Sequence, residues 1–198
     1  GWPRVAKRTF DLLVAGTGLT VVSPVLAAAA IAVKLTSPGP VLFRQTRVGQ
    51  YARPFEVLKL RTMVLDAEAR LAALGELNEA DGPMFKMAHD PRITRVGGFL
   101  RRTSLDELPQ LWNVARGQMS LVGPRPALPS EMVEWDSELY NRLRVKPGIT
   151  GMWQVNGRSG SSFADYQRLD LYYVDNWSIL VDVGILAKTL PAVLSSRG

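Results

Sequence analysis

The residues most able to do chemistry lie between Asp90 and Pro126. There an adjacent acidic pair, Asp106-Glu107, is preceded by Arg92, Arg95, Arg101 and Arg102 and followed by Gly123-Pro124-Arg125-Pro126. Leu105, Leu108, Leu111 and Val114 predict one face of a helix after Ser104, and Asp106, Gln110 and Asn113 the other. Two readings fit. In one, Ser104-Leu105-Asp106-Glu107 is a capping box, Ser104 being the cap and Glu107 reaching back. In the other, the carboxylates meet a phosphate. A carboxylate at an anion site repels phosphate unless a cation intervenes, so acids, arginines and a rigid Pro-Arg-Pro loop together point to divalent-metal phosphoryl chemistry.

These residues need a scaffold, and the 198-residue length predicts a single domain, 1–198. With 24 Lys and Arg against 18 acids the net charge is +6, which favours anionic partners. The chain has no cysteine and one histidine. That excludes disulfide scaffolds, thiolate metal sites and cysteine nucleophiles. His89 reads as a surface residue without a role. There is no P-loop, HExxH, GxSxG or Asp-x-Asp, and Gly16-Thr17-Gly18 fails as a dinucleotide fingerprint because Val21 stands at the third glycine position.

Leu12 to Val33 is a run of 22 uncharged residues. As a straight helix it would be roughly 33 Å long, enough to cross a bilayer core of about 30 Å. Pro24 deprives the Thr20 carbonyl of its partner and predicts a kink or break, leaving two half-depth arms, 12–22 and 25–33. Lys7 and Arg8 precede the run, and Lys34, Arg44, Arg47 and Arg53 follow it, so both ends favour the cytoplasmic side. A re-entrant helix satisfies this if Thr20 and Ser23 help satisfy the freed carbonyls. A signal peptide and a plain kinked spanning helix remain alternatives at this point.

Beyond the Thr36–Pro40 break, alternation at Val41, Phe43 and Gln45 and at Phe55, Val57 and Lys59 predicts a β-hairpin, with Lys59 and Arg61 sharing a face. Thr62 to Leu77 predicts a solvated amphipathic helix. Asp81-Gly82-Pro83 and Asp90-Pro91 bound a loop. Ser130 is expected to cap a helix carrying Met132, Trp135, Leu139 and Leu143, ending before Pro147. Gly148 to Gly160 reads as a glycine-punctuated loop. Helices are expected at about 163–175 and 178–194, with Tyr172, Tyr173 and Trp177 in the core or at a membrane interface.

The order of KRTFD, Ser23-Pro24, SPGPVLFRQTRVG, LKLRTM, DPRITRVGGFLRRTSLDELPQLWNV, MSLVGPRP, KPGITGMWQVNGRSG and LDLYYVDNWS resembles the bacterial sugar transferase family, the monotopic polyprenyl-phosphate phosphoglycosyl transferases. The resemblance runs from about Lys7 to Ile185 and is closest to the catalytic part of the family's larger members, as if cut from a longer chain. It implies an α+β, helix-dominated monotopic membrane domain with a small β-hairpin and a re-entrant helix over 9–35. It also implies transfer of a sugar 1-phosphate from a UDP-sugar to a polyprenyl (undecaprenyl or decaprenyl) phosphate, with Mg²⁺, among membrane lipids at the cytoplasmic face of the bacterial inner membrane. A homodimer is compatible with it. Asp106 takes the place of the nucleophile and metal-binding carboxylate, with Glu107 its partner. Pro124, Arg125 and Pro126 correspond to the motif at the uridine end of the donor, and Lys59, Arg61 and Arg158 to further donor-binding residues. The rivals are a membrane-tethered, non-enzymatic binder of anionic lipid or nucleic acid, and a lipid-phosphate phosphatase or kinase. Salt and Mg²⁺ dependence separate the first, and reaction products the second.

Overall fold

A computed structural model describes residues 2–74, 87, 89–156 and 163–194. The architecture is mixed: helices α1 (Trp2–Thr36), α2 (Ala67–Ala73), α3 (Arg95–Arg102), α4 (Gln110–Ala115), α5 (Met152–Asn156), α6 (Phe163–Asp175) and α7 (Ile179–Leu194) surround two small sheets. The first sheet is the expected hairpin, β1 (Leu42–Val48) antiparallel to β2 (Pro54–Leu60), with Phe43 opposite Lys59 and Arg47 opposite Phe55. The second was not foreseen. Within the stretch read as a glycine-punctuated loop, β4 (Gly148–Thr150) pairs in parallel with β3 (Ser120–Val122), and α5 follows. Glycines permit this pairing, because a Cβ on Gly123 or Gly148 would strike the backbone of the other strand.

Helix α1 is 35 residues long, with mean hydropathy 1.9 in its most apolar window, of which 11% is buried. It runs through Pro24 as one helix. The Ser23 hydroxyl donates to the Thr20 carbonyl at 2.8 Å, the acceptor that Pro24 leaves free, and Thr20 Oγ1 donates to Gly16 at 3.0 Å. Both ends of α1 are tied to one globular body. At the N-terminal end Lys7 pairs with Asp182 at 2.6 Å, Arg8 donates to the Val114 and Ala115 carbonyls, and buried Asp11 accepts from Ser120 Oγ and Leu121 N. Lys7 and Arg8, read as basic flanks, therefore have fixed protein partners. Towards the other end Ala29 and Val33 pack with Leu60 and Leu100. The main core joins Ala15, Phe55, Val57, Leu111, Val114, Leu121, Tyr173 and Ile185.

Several element boundaries differ from expectation. The helix expected over 62–77 is shorter, α2, because Thr62 to Val64 is extended and bonded to the segment after Asp90: Thr94 N donates to Thr62 O and Val64 N to Arg92 O. Ser130 caps nothing. Its segment forms 3₁₀ turns over Pro129–Glu134 and Leu139–Arg144, separated where Trp135 is extended and where Asp136 accepts from the Leu139 amide. Helices α6 and α7 lie where expected. Tyr173 is buried, donating to the Val122 carbonyl at 3.0 Å and to Asp182 at 2.7 Å, while Tyr172 is exposed. His89 is exposed. Asp81-Gly82-Pro83, the tail of the 62–77 stretch and Arg158 lie outside the described residues.

Candidate active site

The site forms where α3, the turn before α4 and the Lys59-bearing face of the hairpin meet. Thr94 caps α3, its Oγ1 accepting from Gly97 N at 3.0 Å. Gly97 is required there, since a Cβ would run into the Thr62 carbonyl. This close approach docks α3 on the strand-end segment Leu60–Met63 and lets Arg101 Nε donate to Thr62 Oγ1 at 3.0 Å.

After α3 the chain turns sharply at Ser104, which has left-handed geometry (φ 55°, ψ 17°) and makes no side-chain cap bond. The capping box is therefore absent. A single 3₁₀ turn, Leu105–Glu107, follows, and α4 begins only after Pro109. Proline lacks the N–H that a continuous helix would use there. The polar stripe Asp106, Gln110 and Asn113 faces inward, and all three residues are buried. Asn113 straps α4 to β2: its Oδ1 accepts from Leu58 N at 3.1 Å and its Nδ2 donates to Glu56 O at 2.7 Å. That strap fixes the register of β2 against α4, and with it Lys59 against Glu107.

Glu107 Oε1 receives Lys59 Nζ at 2.6 Å. Asp106 is buried and forms no ion pair among the described residues. Burial, reinforced by the adjacent Glu107 charge, pushes its carboxyl up to about 6, against the opposing pull of Lys59, Arg101 and its own backbone amide. The dyad thus holds one carboxylate paired with lysine and one that is desolvated and free of a cation, the state in which a carboxylate gains most from meeting positive charge or electrophilic phosphorus.

The other sequence-derived residues divide by position. Arg125 forms a two-pronged pair with Glu131. Its carbonyl accepts from Arg142, which is buried against Asp170 at 2.6 Å and lies over the Trp135 and Tyr166 rings. The Pro126 carbonyl accepts from Arg47 Nη1 at 3.0 Å, and the Pro124 carbonyl from Gly148 N. Arg61 is buried beyond the end of β2, where its guanidinium donates to the Pro38 carbonyl and to Ser37, holding the chain that leaves α1. Of the four arginines before the dyad, Arg101 acts electrostatically on Asp106 and Arg92 is paired with Asp90 at 2.6 Å.

A family model for bacterial sugar transferases matches residues 2–196. The chain belongs to the bacterial sugar transferase family. It is 42% identical to the exopolysaccharide production protein ExoY of Rhizobium meliloti, with 98% of this chain and 88% of that protein aligned. It is 40% identical to the undecaprenyl-phosphate galactose phosphotransferase of Salmonella typhimurium, over 98% of this chain and 42% of the longer relative. A UDP-glucose:undecaprenyl-phosphate glucose-1-phosphate transferase of Caulobacter vibrioides is 41% identical, over 98% and 73%.

In this sugar transferase the sequence reading passed over Gln45 and Arg47 as site residues. They share one face of the hairpin with Lys59, and Arg47 reaches the Pro126 carbonyl. The signal lies in the period-two alternation Phe43, Gln45, Arg47, although Arg47 also fits a basic flank of the apolar run. No group of three potential metal ligands occurs among the described residues. Asp106 and Glu107 still fit Mg²⁺, which typically takes one or two carboxylates and completes its shell with substrate phosphates and water. A desolvated, cation-free Asp106 beside a second acid is a donor set that such an ion would relieve.

Proposed function

We propose that this transferase moves a sugar 1-phosphate from a UDP-sugar to a polyprenyl phosphate through a covalent intermediate on Asp106. An Asp106 carboxylate oxygen attacks the sugar-bearing phosphorus, the bond to the bridging oxygen breaks, and UMP departs with that oxygen. A phosphate oxygen of the polyprenyl acceptor then attacks the same phosphorus, forming polyprenyl-diphosphate-sugar and returning the Asp106 carboxylate. The observation that carries this reading is the buried Asp106 carboxyl without a cationic partner beside a Glu107 already held by Lys59. Mg²⁺, held by Asp106 and Glu107 with the donor phosphates, would supply charge neutralisation for the approach of anion to anion. Lys59 sets the Glu107 carboxylate in place, while Arg101 offsets charge near Asp106. Pro124, Arg125, Pro126 and Arg158 are assigned to the donor by their motifs.

The names of the relatives support the acceptor and donor classes, and galactose and glucose both occur among them. The tie of both ends of α1 to one globular body supports a helix that enters and leaves a membrane by one face. Ala15 and Val33 both pack on that body, about 27 Å apart along a helix axis, so a straight crossing would carry the body through the bilayer with it. The proposed location is the cytoplasmic leaflet, where a lipid phosphate lies at headgroup level and basic loops can meet it.

The test is incubation with a panel of UDP-sugars and Mg²⁺ without acceptor. About one UMP per site should be released and the sugar-phosphate mass should appear on the peptide containing Asp106. Steady turnover should require polyprenyl phosphate. Release of inorganic phosphate in place of UMP, or an unmodified Asp106 peptide during turnover, would refute the reading.

A further inference from the structure

Most arginines placed at or near the site have a partner that offsets or occupies them. Arg125 is held by Glu131, Arg142 by Asp170 and Arg92 by Asp90, while Arg101 bonds the neutral Thr62 hydroxyl and acts on the Asp106 charge. Arg47 is held by neutral groups alone. Its Nε and Nη2 both donate to Gln45 Oε1, at 3.0 and 2.6 Å, and its Nη1 donates to the Pro126 carbonyl at 3.0 Å. All of these acceptors are neutral, and no carboxylate lies within ion-pair distance among the described residues. A guanidinium carries five N–H donors, and three are engaged here, leaving one on each terminal nitrogen. The group is therefore oriented at three points, positively charged and without an ion-pair partner among the described residues. Burial, with the Arg125 charge adding to it, pulls its pKa down to about 10, against Glu131, Tyr166 and Glu107. A desolvated cation of this kind is relieved by a bound anion.

Position along the hairpin says which anion. Lys59 stands opposite Phe43 and Arg47 opposite Phe55, four residues further along β1, or about 13 Å of strand. The attacked phosphorus must lie against Asp106, near Lys59. Arg47 stands further along the same hairpin face, held on the Pro126 carbonyl and within electrostatic reach of Glu107.

We propose that Arg47 grips the departing phosphate of the donor diphosphate and that Gln45 is the positioning residue that aims it. This rests on the reading of the chain as a UDP-sugar-dependent transferase. Charge builds on that phosphate as the bridging P–O bond breaks, so a preset guanidinium there stabilises the leaving UMP. Arg44, exposed on the opposite face of β1 and 3.8 Å from Glu56, serves as the control.

The experiment is calorimetric titration of the full chain with inorganic pyrophosphate and, separately, with UDP, alongside the single-turnover UMP burst. Arg47→Ala should weaken both ligands roughly tenfold or more and slow the burst, Gln45→Leu should do so less, and Arg44→Ala should match wild type. Added guanidinium ion should restore part of the Arg47→Ala burst, which a purely structural defect would not allow. If Arg47→Ala fails to fold, Arg47→Lys keeps the charge without the two-pronged hold on Gln45, and it should still bind pyrophosphate several-fold more weakly. Wild-type pyrophosphate affinity in Arg47→Ala or, if that variant does not fold, in Arg47→Lys overturns the proposal, as does a lost burst that guanidinium leaves unrestored. Pyrophosphate bound through Arg47 in a protein that releases no UMP would instead overturn the transferase reading while leaving the anion site.

Discussion

Lys59 Nζ lies 2.6 Å from Glu107 Oε1, on the second acid of the dyad and not on the first. Adjacent carboxylates in one turn would otherwise compete for the same cation. In the 3₁₀ turn Leu105–Glu107 the lysine on β2 reaches Glu107, while Asp106 is buried without an ion pair among the described residues. The same local fold that removes the capping box thereby gives the two acids different tasks.

Asp106→Asn should abolish the UMP burst and the covalent adduct while making the protein more stable at neutral pH. The sign follows from linkage. The folded-state pKa of about 6 lies above the ordinary 3.8, so between those values the folded state holds a proton that the unfolded state has lost, and stability falls as pH rises. Two pKa steps correspond to roughly 3 kcal/mol as an upper bound at pH 7 and above. Thermal melts of wild type and variant without Mg²⁺ should therefore diverge from pH 4 to pH 7, the variant melting higher. A variant less stable than wild type at pH 7.5 would show that the Asp106 carboxylate stabilises the fold.

The Lys59 charge lowers the Asp106 pKa, so Lys59→Met should move the pH midpoint of the UMP burst upward relative to wild type. It also leaves Glu107 without its partner, and the burst at pH 7 should fall by roughly tenfold or more. Rapid-quench measurement from pH 5 to 9 reads both effects. An unshifted midpoint would mean that Lys59 acts on Glu107 alone.

What was legible in the sequence is what local pattern controls. Alternation at Val41–Gln45 and Phe55–Lys59 located the hairpin, and 3.6-residue periodicity located α6 and α7, because those elements bury one face each. The acidic pair and Pro-Arg-Pro were visible as residue types in a setting of cations. The break at Ser104 was not, since no local pattern marks a left-handed serine, and the nearby docking of α3 on Thr62 joins residues far apart in the chain. The parallel β3–β4 pair was hidden for the same reason: three-residue strands carry no periodicity, and their pairing partners are 28 positions apart. Gln45 and Arg47 became site residues only when the hairpin face was seen to close on Pro126.

Gly97→Ala should cost about 2 kcal/mol or more, because the added Cβ would run into the Thr62 carbonyl backbone and neither partner is a flexible side-chain end. The damage should extend to the site: pushing α3 off Thr62 displaces Arg101 from its bond to Thr62 Oγ1. Gly98→Ala is the matched control, since its Cβ would meet only the Ile93 side chain at 3.9 Å. Melting temperature and UMP burst should both fall in the first variant and stay near wild type in the second.

Cysteines introduced singly at Val5 and Pro38, exposed positions near the two ends of α1, should be labelled from the same, cytoplasmic side of sealed vesicles. The physical reason is that Lys7 is fixed to Asp182 and Arg61 to Ser37 and Pro38, so the two ends of the helix belong to one body. The exposed apolar side of α1, including Leu13, Val21, Val25 and Ile31 on either side of Ser23-Pro24, would then be the part that meets lipid. There the Ser23 hydroxyl serves the Thr20 carbonyl, which has neither a helical N–H nor water as an alternative. Ser23→Ala should accordingly lower stability by about 1–2 kcal/mol in bilayers. The loss should be smaller in a detergent that admits water to the helix. Labelling of Val5 and Pro38 from opposite sides would establish a spanning helix, and equal Ser23→Ala effects in both media would remove the carbonyl from the account.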